Sequence, residues 1–144
     1  MVDQKSNEVG YADLIKRVMS VERVSLRELE RRSKLSRKRL TSALAGGELA
    51  VKEKDLLLSV LGIDPVAAFF AIKIGKSVDA YFSAATATAV GLTVEFMGMV
   101  TAATELGDFE PIKQSLLGPL AKDMFNRILL HQERLREAKT RLLA

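Results

Sequence analysis

Residues 25 to 46, Ser-Leu-Arg-Glu-Leu-Glu-Arg-Arg-Ser-Lys-Leu-Ser-Arg-Lys-Arg-Leu-Thr-Ser-Ala-Leu-Ala-Gly, constrain the fold more than any other stretch of this chain. Ser25 and Glu28 stand three residues apart at the start of a helical pattern. At that spacing the hydroxyl can accept from one orphan amide while the carboxylate reaches back to another. Leu26 and Leu29 give this first helix its apolar side. Ser33-Lys34-Leu35 then interrupts the run, and Ser36 is placed to cap a second helix. In that second helix Leu40, Ala43 and Leu44 fall at i, i+3 and i+4 and are expected to turn inward. Arg37, Lys38, Thr41 and Ser42 stay on the outward side, and Gly46-Gly47 ends the helix.

Six of the nine residues from 31 to 39 are basic: Arg31, Arg32, Lys34, Arg37, Lys38 and Arg39. The cations therefore surround the start of a short helix of a size that enters the major groove of duplex DNA, with its N-terminal residues nearest the base edges. Arg37 and Lys38 would lead the base contacts. Each neutralised phosphate would release counterions and strengthen binding at low salt, a role open to Arg31, Arg32, Lys34 and Arg39. The bland alternative is a solvated basic face on an ordinary helical hairpin.

From about Tyr11 to Pro65 the chain resembles the lambda-repressor-like (Xre/Cro-type) helix-turn-helix family, whose domain has about five helices. The family's opening helix appears as Val24-Ser25-Leu26-Arg27-Glu28-Leu29-Glu30, and its turn as Lys34-Leu35-Ser36. Three positions depart from the signature. Leu26 stands where a backbone-contacting Gln is usual, Glu30 where a small residue packs between the helices, and Lys34 where the turn carries Gly. The resemblance assigns base reading to Arg37, Lys38 and Ser42, and backbone contacts to Ser36, Arg39 and Arg27. Leu40-Thr41-Ser42-Ala43-Leu44-Ala45-Gly46 is also similar to the recognition helix of lactose-repressor-type proteins.

Charge is partitioned in the same sense. Residues 1 to 62 hold 13 basic and 9 acidic side chains, residues 63 to 144 hold 9 of each, and the net charge of +4 belongs to the first part. A basic part joined to a neutral one points to a polyanion for the first, and to protein or a small ligand for the second. The chain contains no cysteine, which is compatible with a reducing cytoplasm and excludes disulfides and thiolate metal sites. Its first ten residues are too polar for a signal peptide, and residues 1–9 are expected to be flexible.

Further helices are expected from about Gly10 to Val21, with Leu14, Ile15, Val18 and Met19 inward, and from about Val51 to Leu61, with Leu56, Leu57, Val60 and Leu61 inward. Asp64-Pro65 should cap and start another, packed through Val66, Phe69, Phe70 and Ile74. The expected division is a DNA-binding domain over 10–64 and a helical region over 65–144. No Lys or Arg occurs from Ser77 to Ile112, and Ala80 to Val94 carries no charge. Fifteen uncharged residues fall short of the roughly 20 needed to span a bilayer, so a long helix buried against a neighbour, in this molecule or its twin, is expected there, with Glu95 facing solvent and no membrane partner.

The last segment, expected to start at Gly118-Pro119, has the clearest periodicity. Ala121, Met124, Ile128, His131, Leu135, Ala138 and Leu142 are separated by steps of three and four, the spacing of a packed helical seam. A dimer interface through Met124, Ile128, His131, Leu135 and Leu142 would let two copies grip DNA half-sites about 34 Å apart. His131 has no neighbouring group that would make it a general base, and no phosphate loop or zinc motif occurs, so neither enzyme activity nor a cofactor or metal is expected. A slight similarity of residues 41–49 to the N-terminal helical domain of cyanase has no catalytic counterpart after Pro65. The expected protein is all-α: a five-helix lambda-repressor-like domain, then a helical region that pairs two copies and is able to receive an effector. The expected function is that of a dimeric, sequence-specific transcription regulator acting on double-stranded DNA. The alternative is a helix-turn-helix interaction module, such as an antitoxin or adaptor, whose apolar half binds another protein.

Overall fold

The computed structural model describes residues 10–46, 49–105, 107 and 110–144; the expected flexible N-terminus and Gly47 lie outside them. The protein is all-helical, with no strand among the described residues. Helix α1 runs Tyr11–Val21, α2 Leu26–Ser33, α3 Arg37–Leu44, α4 Val51–Val60, α5 Pro65–Phe69, α6 Ala84–Glu105 and α7 Gln114–Leu143. Packing divides the chain into two units, the first ending at Met99 and the second starting at Val100.

The core of the first unit is built on Leu14 and Ile15 of α1, Leu29 of α2, Leu40 of α3 and Leu57 of α4, all without exposed surface. Helix α1 starts at Gly10, whose amide donates to Asp13 Oδ2 at 3.0 Å. In α2 the Ser25 hydroxyl accepts from the Glu28 amide at 3.1 Å, which is half of the expected box. The returning half is not made. Glu28 instead accepts from Arg31 Nε at 3.0 Å and Nη2 at 2.6 Å, because a guanidinium one turn along the helix offers two charge-assisted bonds where the amide offers one neutral bond.

Helix α2 ends at Lys34, which adopts the left-handed conformation (φ 62°, ψ 11°). A side chain is strained there and glycine is not. Lys34→Gly is therefore expected to stabilise the protein by about 0.5–1 kcal/mol, visible as a raised midpoint in thermal unfolding.

Helix α4 closes with Gly62 at φ 67°. The Gly62 amide donates to the Ser59 carbonyl at 3.1 Å and the Ile63 amide to that of Leu58 at 2.8 Å, the paired bonds of a Schellman stop. Its inward face differs from the expected one. Leu57 and Leu58 are buried while Leu56 is exposed. Three consecutive leucines leave the phase of the stripe open, and packing chose the later pair.

Asp64 caps α5 through its carboxylate, which accepts from the Val66 and Ala67 amides at 2.8 and 3.0 Å. The chain continues as a π-helical turn over Phe70–Ile74 and, after a bend, a 3-10 turn over Asp79–Phe82. The expected contacts of α5 are corrected by the structure. Ala68, Ala71 and Ile72 are buried, whereas Val66, Phe69 and Ile74 are exposed. Small residues win this face because they let the backbone approach closely, and Gly75 continues the tight packing: a Cβ there would lie 3.2 Å from both the Ala71 carbonyl oxygen and Ala80 Cβ. Since Ile63, Ala68 and Ile72 join the same core cluster, the core continues across Gly62–Pro65, and the Tyr81 hydroxyl accepts from the Asp64 amide at 3.1 Å to tie down the junction.

The expectation of a buried helix after residue 80 does not hold within the chain. Of the 18-residue apolar window within Ala84–Ala103 of α6, 6% is buried, and by length and composition the helix is long and apolar enough to cross a membrane. Glu95 is the single charge in that segment, so the fifteen-residue limit inferred from the uncharged run was too short.

Helix α7 starts at Gln114, four residues before the expected Gly118, and carries Pro119 inside it. Proline lacks the amide that would bond the carbonyl four residues earlier, so that turn is weakened without being broken. No residue of α7 is buried.

Candidate nucleic-acid interface

Three features hold α3 in place. The Ser36 hydroxyl accepts from the Arg39 amide at 3.2 Å, forming the expected N-cap. Leu40, Ala43 and Leu44 are buried. The three-residue link Lys34–Ser36 is braced where Ser33, itself buried, accepts from the Leu35 amide through its hydroxyl at 3.2 Å. The structure thus brings Arg37, Lys38, Thr41 and Ser42 together on the exposed face of α3, with Ser36 exposed at its start.

Glu30 was noted above as a departure, standing where the resembling family has a small residue. Here it is a clamp. Its carboxylate accepts from the Arg37 amide and from Arg37 Nε, both at 3.3 Å, and makes an ion pair with Arg37 at 3.2 Å. A carboxylate at a helix N-terminus is favoured by the exposed amides there, so Glu30 fixes α3 to α2 while holding Arg37, a leading base-reading candidate.

Arg39 is bound in a second carboxylate pair. Its guanidinium grips Glu53 of α4 with two hydrogen bonds, one of 2.8 Å from Nε. Hydrogen bonding to Arg39 holds the Glu53 carboxyl below its ordinary value of 4.5, and the same bond raises Arg39. Arg39 therefore braces α3 against α4 as well as lying near the candidate surface. Because the folded-state carboxyl is the stronger acid, the pair contributes fully above pH 4.5 and is lost as pH falls below that value. The stability difference between wild type and Glu53→Gln is expected to be constant above pH 4.5 and to shrink towards zero in acid, measured as Tm against pH.

The other cations divide by partner. Arg31 is paired with Glu28, and hydrogen bonding between them lowers the carboxyl and raises the guanidinium. Arg32 donates to the Val60 carbonyl oxygen, linking α2 to the end of α4, and its charge adds to the lowering of the Glu28 carboxyl. Arg27, Lys34 and Lys38 are exposed and have no ion pair among the described residues. The i, i+3 spacing of Glu28 and Arg31 was visible in the sequence, whereas the Glu30–Arg37 and Glu53–Arg39 pairs cross between helices and left no local signal.

An open depression beside the start of α2 is lined by Ser25, Arg27, Glu28, Glu30 and Arg31, a mixed-charge surface without an enclosed volume for a small ligand. No group of three side chains suited to hold a metal occurs among the described residues. In α7 the expected pairing residues Met124, His131, Leu135 and Leu142 are exposed, and Ile128 is half-buried. They are uncovered in a single chain. Comparison of the chain with known protein families, with characterised proteins and with solved structures found no match.

Proposed function

We propose that this protein is a sequence-specific, double-stranded DNA-binding regulator of the lambda-repressor-like helix-turn-helix kind, acting as a dimer, with α3 as the element that enters the major groove. The observation that carries this reading is the two-sidedness of α3: Leu40, Ala43 and Leu44 are buried while Arg37, Lys38, Thr41 and Ser42 are exposed. A helix of eight residues set three residues after its neighbour fits the groove with its first turn leading. Arg37 and Lys38 read base edges, with Thr41 and Ser42 behind them. Arg27, Arg31, Arg32, Lys34, Ser36 and Arg39 position the backbone, and of these Arg31 and Arg39 must share their charge with Glu28 and Glu53.

One such helix covers a few base pairs. Pairing of two chains through the α7 residues Met124, Ile128, His131, Leu135 and Leu142 supplies the second half-site, about one DNA turn or 34 Å away. No metal or cofactor enters this scheme, and the DNA-binding half works in the cytoplasm.

A salt series of fluorescence-anisotropy titrations against mixed-sequence duplexes tests the electrostatic part. Affinity should fall steeply with salt, log K against log salt having a slope of roughly −0.9 per phosphate neutralised; flat salt dependence would remove the basic surface from the account. Glu30→Gln should raise affinity severalfold at low salt in the same assay, because it removes a negative charge from the groove-facing end of α3 and releases Arg37.

A second reading draws on the same clamp. With Arg37 held by Glu30 and Arg39 by Glu53, the surface is less cationic than its sequence, as befits an interaction module of antitoxin or adaptor type whose apolar half binds another protein. Under that reading Glu30→Gln leaves DNA affinity unchanged.

A further inference from the structure

Between Ala84 and Ala103 helix α6 carries a single charge, Glu95. Leu92, Val94, Phe96, Met97 and Met99 are between 37% and 67% exposed, and at roughly 100° per residue they spread over more than half of the circumference, the remaining side holding Gly91, Glu95, Gly98 and Ala102. Such a surface differs from that of α7 in charge: Lys122, Asp123, Arg127, Glu133, Arg134 and Arg136 interrupt the apolar positions of α7 and give it a solvated side. A long helix without a charged face is buried in a large core or lies in lipid.

Among the described residues little packs on α6: 6% of the 18-residue apolar window within Ala84–Ala103 is buried. The helix also lies far from the N-terminal position of a secretory leader. Its 22 residues extend about 33 Å at 1.5 Å each, close to the roughly 30 Å of bilayer hydrocarbon. Two of its threonines are already satisfied without water: the Thr88 and Thr93 hydroxyls donate to the Ala84 and Ala89 carbonyls, one turn back, at 2.9 and 2.8 Å. Backbone and side-chain polar groups that bond within the helix are what hydrocarbon requires.

We infer that α6 crosses a lipid bilayer as a single span, placing the residues before Ala84 and those after Ala103 on opposite sides. Glu95, midway along, is the one acidic side chain in the segment Ala84–Ala103 and must meet a polar partner there. The crossing does not depend on the DNA reading. Its direction does, because a chain that reads DNA must keep α3 on the cytoplasmic side, and the α7 seam of the proposed dimer then pairs the chains from the opposite side of the bilayer.

The absence of cysteine makes the test direct. The full chain, expressed in bacterial cells, is floated with membranes through a density gradient after an alkaline wash. Single cysteines, Lys52→Cys and Ala144→Cys, are then labelled with a membrane-impermeant maleimide before and after permeabilisation. The expected result is a chain that floats, with Ala144→Cys labelled in intact cells and Lys52→Cys labelled after permeabilisation alone. Val94→Arg with Met97→Arg should reduce the floated fraction at least tenfold, and Glu95→Gln should preserve it. A wild-type chain that stays soluble, as an oligomer that covers α6 with a second copy, overturns the crossing. So does a chain that floats with both cysteines on one side, which would lie on the bilayer surface. A crossing with Lys52→Cys labelled from outside would uphold the span and sink the DNA reading, so the two failures are distinguishable.

Discussion

Replacing Arg37 and Lys38 together by alanine is expected to abolish sequence-specific DNA binding while leaving the fold intact. Both residues are exposed on α3, so their removal opens no cavity. Among the described residues the interaction lost is the Arg37 pair with Glu30, a surface pair worth under about 1 kcal/mol. Against DNA the effect is larger. Each good base contact contributes about 1–3 kcal/mol of discrimination, so the double variant should lose on the order of 30-fold to 10⁴-fold in preference for its target over mixed sequence. That loss should persist at every salt concentration. Arg27→Ala and Lys34→Ala should behave differently, weakening binding to all duplexes alike and lowering the salt slope by roughly 0.9 for each phosphate contact removed. An unchanged preference in the double variant would show that α3 does not read the sequence.

Leu40→Ala should produce the largest change in stability. Leu40 has no exposed surface and belongs to the cluster that includes Leu14, Ile15, Leu29 and Leu57, so the methyl groups removed leave a void that α1 and α2 cannot readily fill. The expected loss is about 2–5 kcal/mol, a large share of the roughly 5–15 kcal/mol that holds a domain together. Its Tm should drop on the order of 10–30 °C, read by circular dichroism. DNA binding should fail at the same temperature at which the first unit melts, because Leu40 anchors the face opposite Arg37, Lys38 and Thr41. Leu56→Ala, one position from the buried Leu57 and itself exposed, should cost far less. A similar cost for both would mean that the packing phase of α4 is that of the leucine periodicity rather than that of the structure.

The contrast between those leucines shows where the sequence was readable. Leu40, Ala43 and Leu44 follow three cations and are interrupted by Thr41 and Ser42, so only one face of α3 can be buried, and the caps at Ser36 and Asp64 are fixed by local geometry. In Leu56-Leu57-Leu58, and again in α5, two apolar stripes compete. Size favoured Val66, Phe69 and Ile74, but close backbone approach selected Ala68, Ala71 and Ile72, a choice that depends on the neighbouring surface and not on periodicity. The candidate interface divides in the same way. Which side chains share the exposed face of α3 follows from helical spacing, whereas the hold of Glu30 on Arg37 and of Glu53 on Arg39 is tertiary. In α6 the uncharged run stops at Glu95, but a single acid does not end an apolar helix, and the helix continues to Glu105.

The central claim is that α3 reads base sequence, and selection from a random duplex pool tests it most directly. The full chain is equilibrated with the pool over a salt series, and the bound fraction is sequenced. The account predicts enrichment of a palindrome whose half-sites lie about 34 Å apart, surviving at salt that strips mixed DNA from the protein. Binding without enrichment at any salt, or no binding, would contradict it.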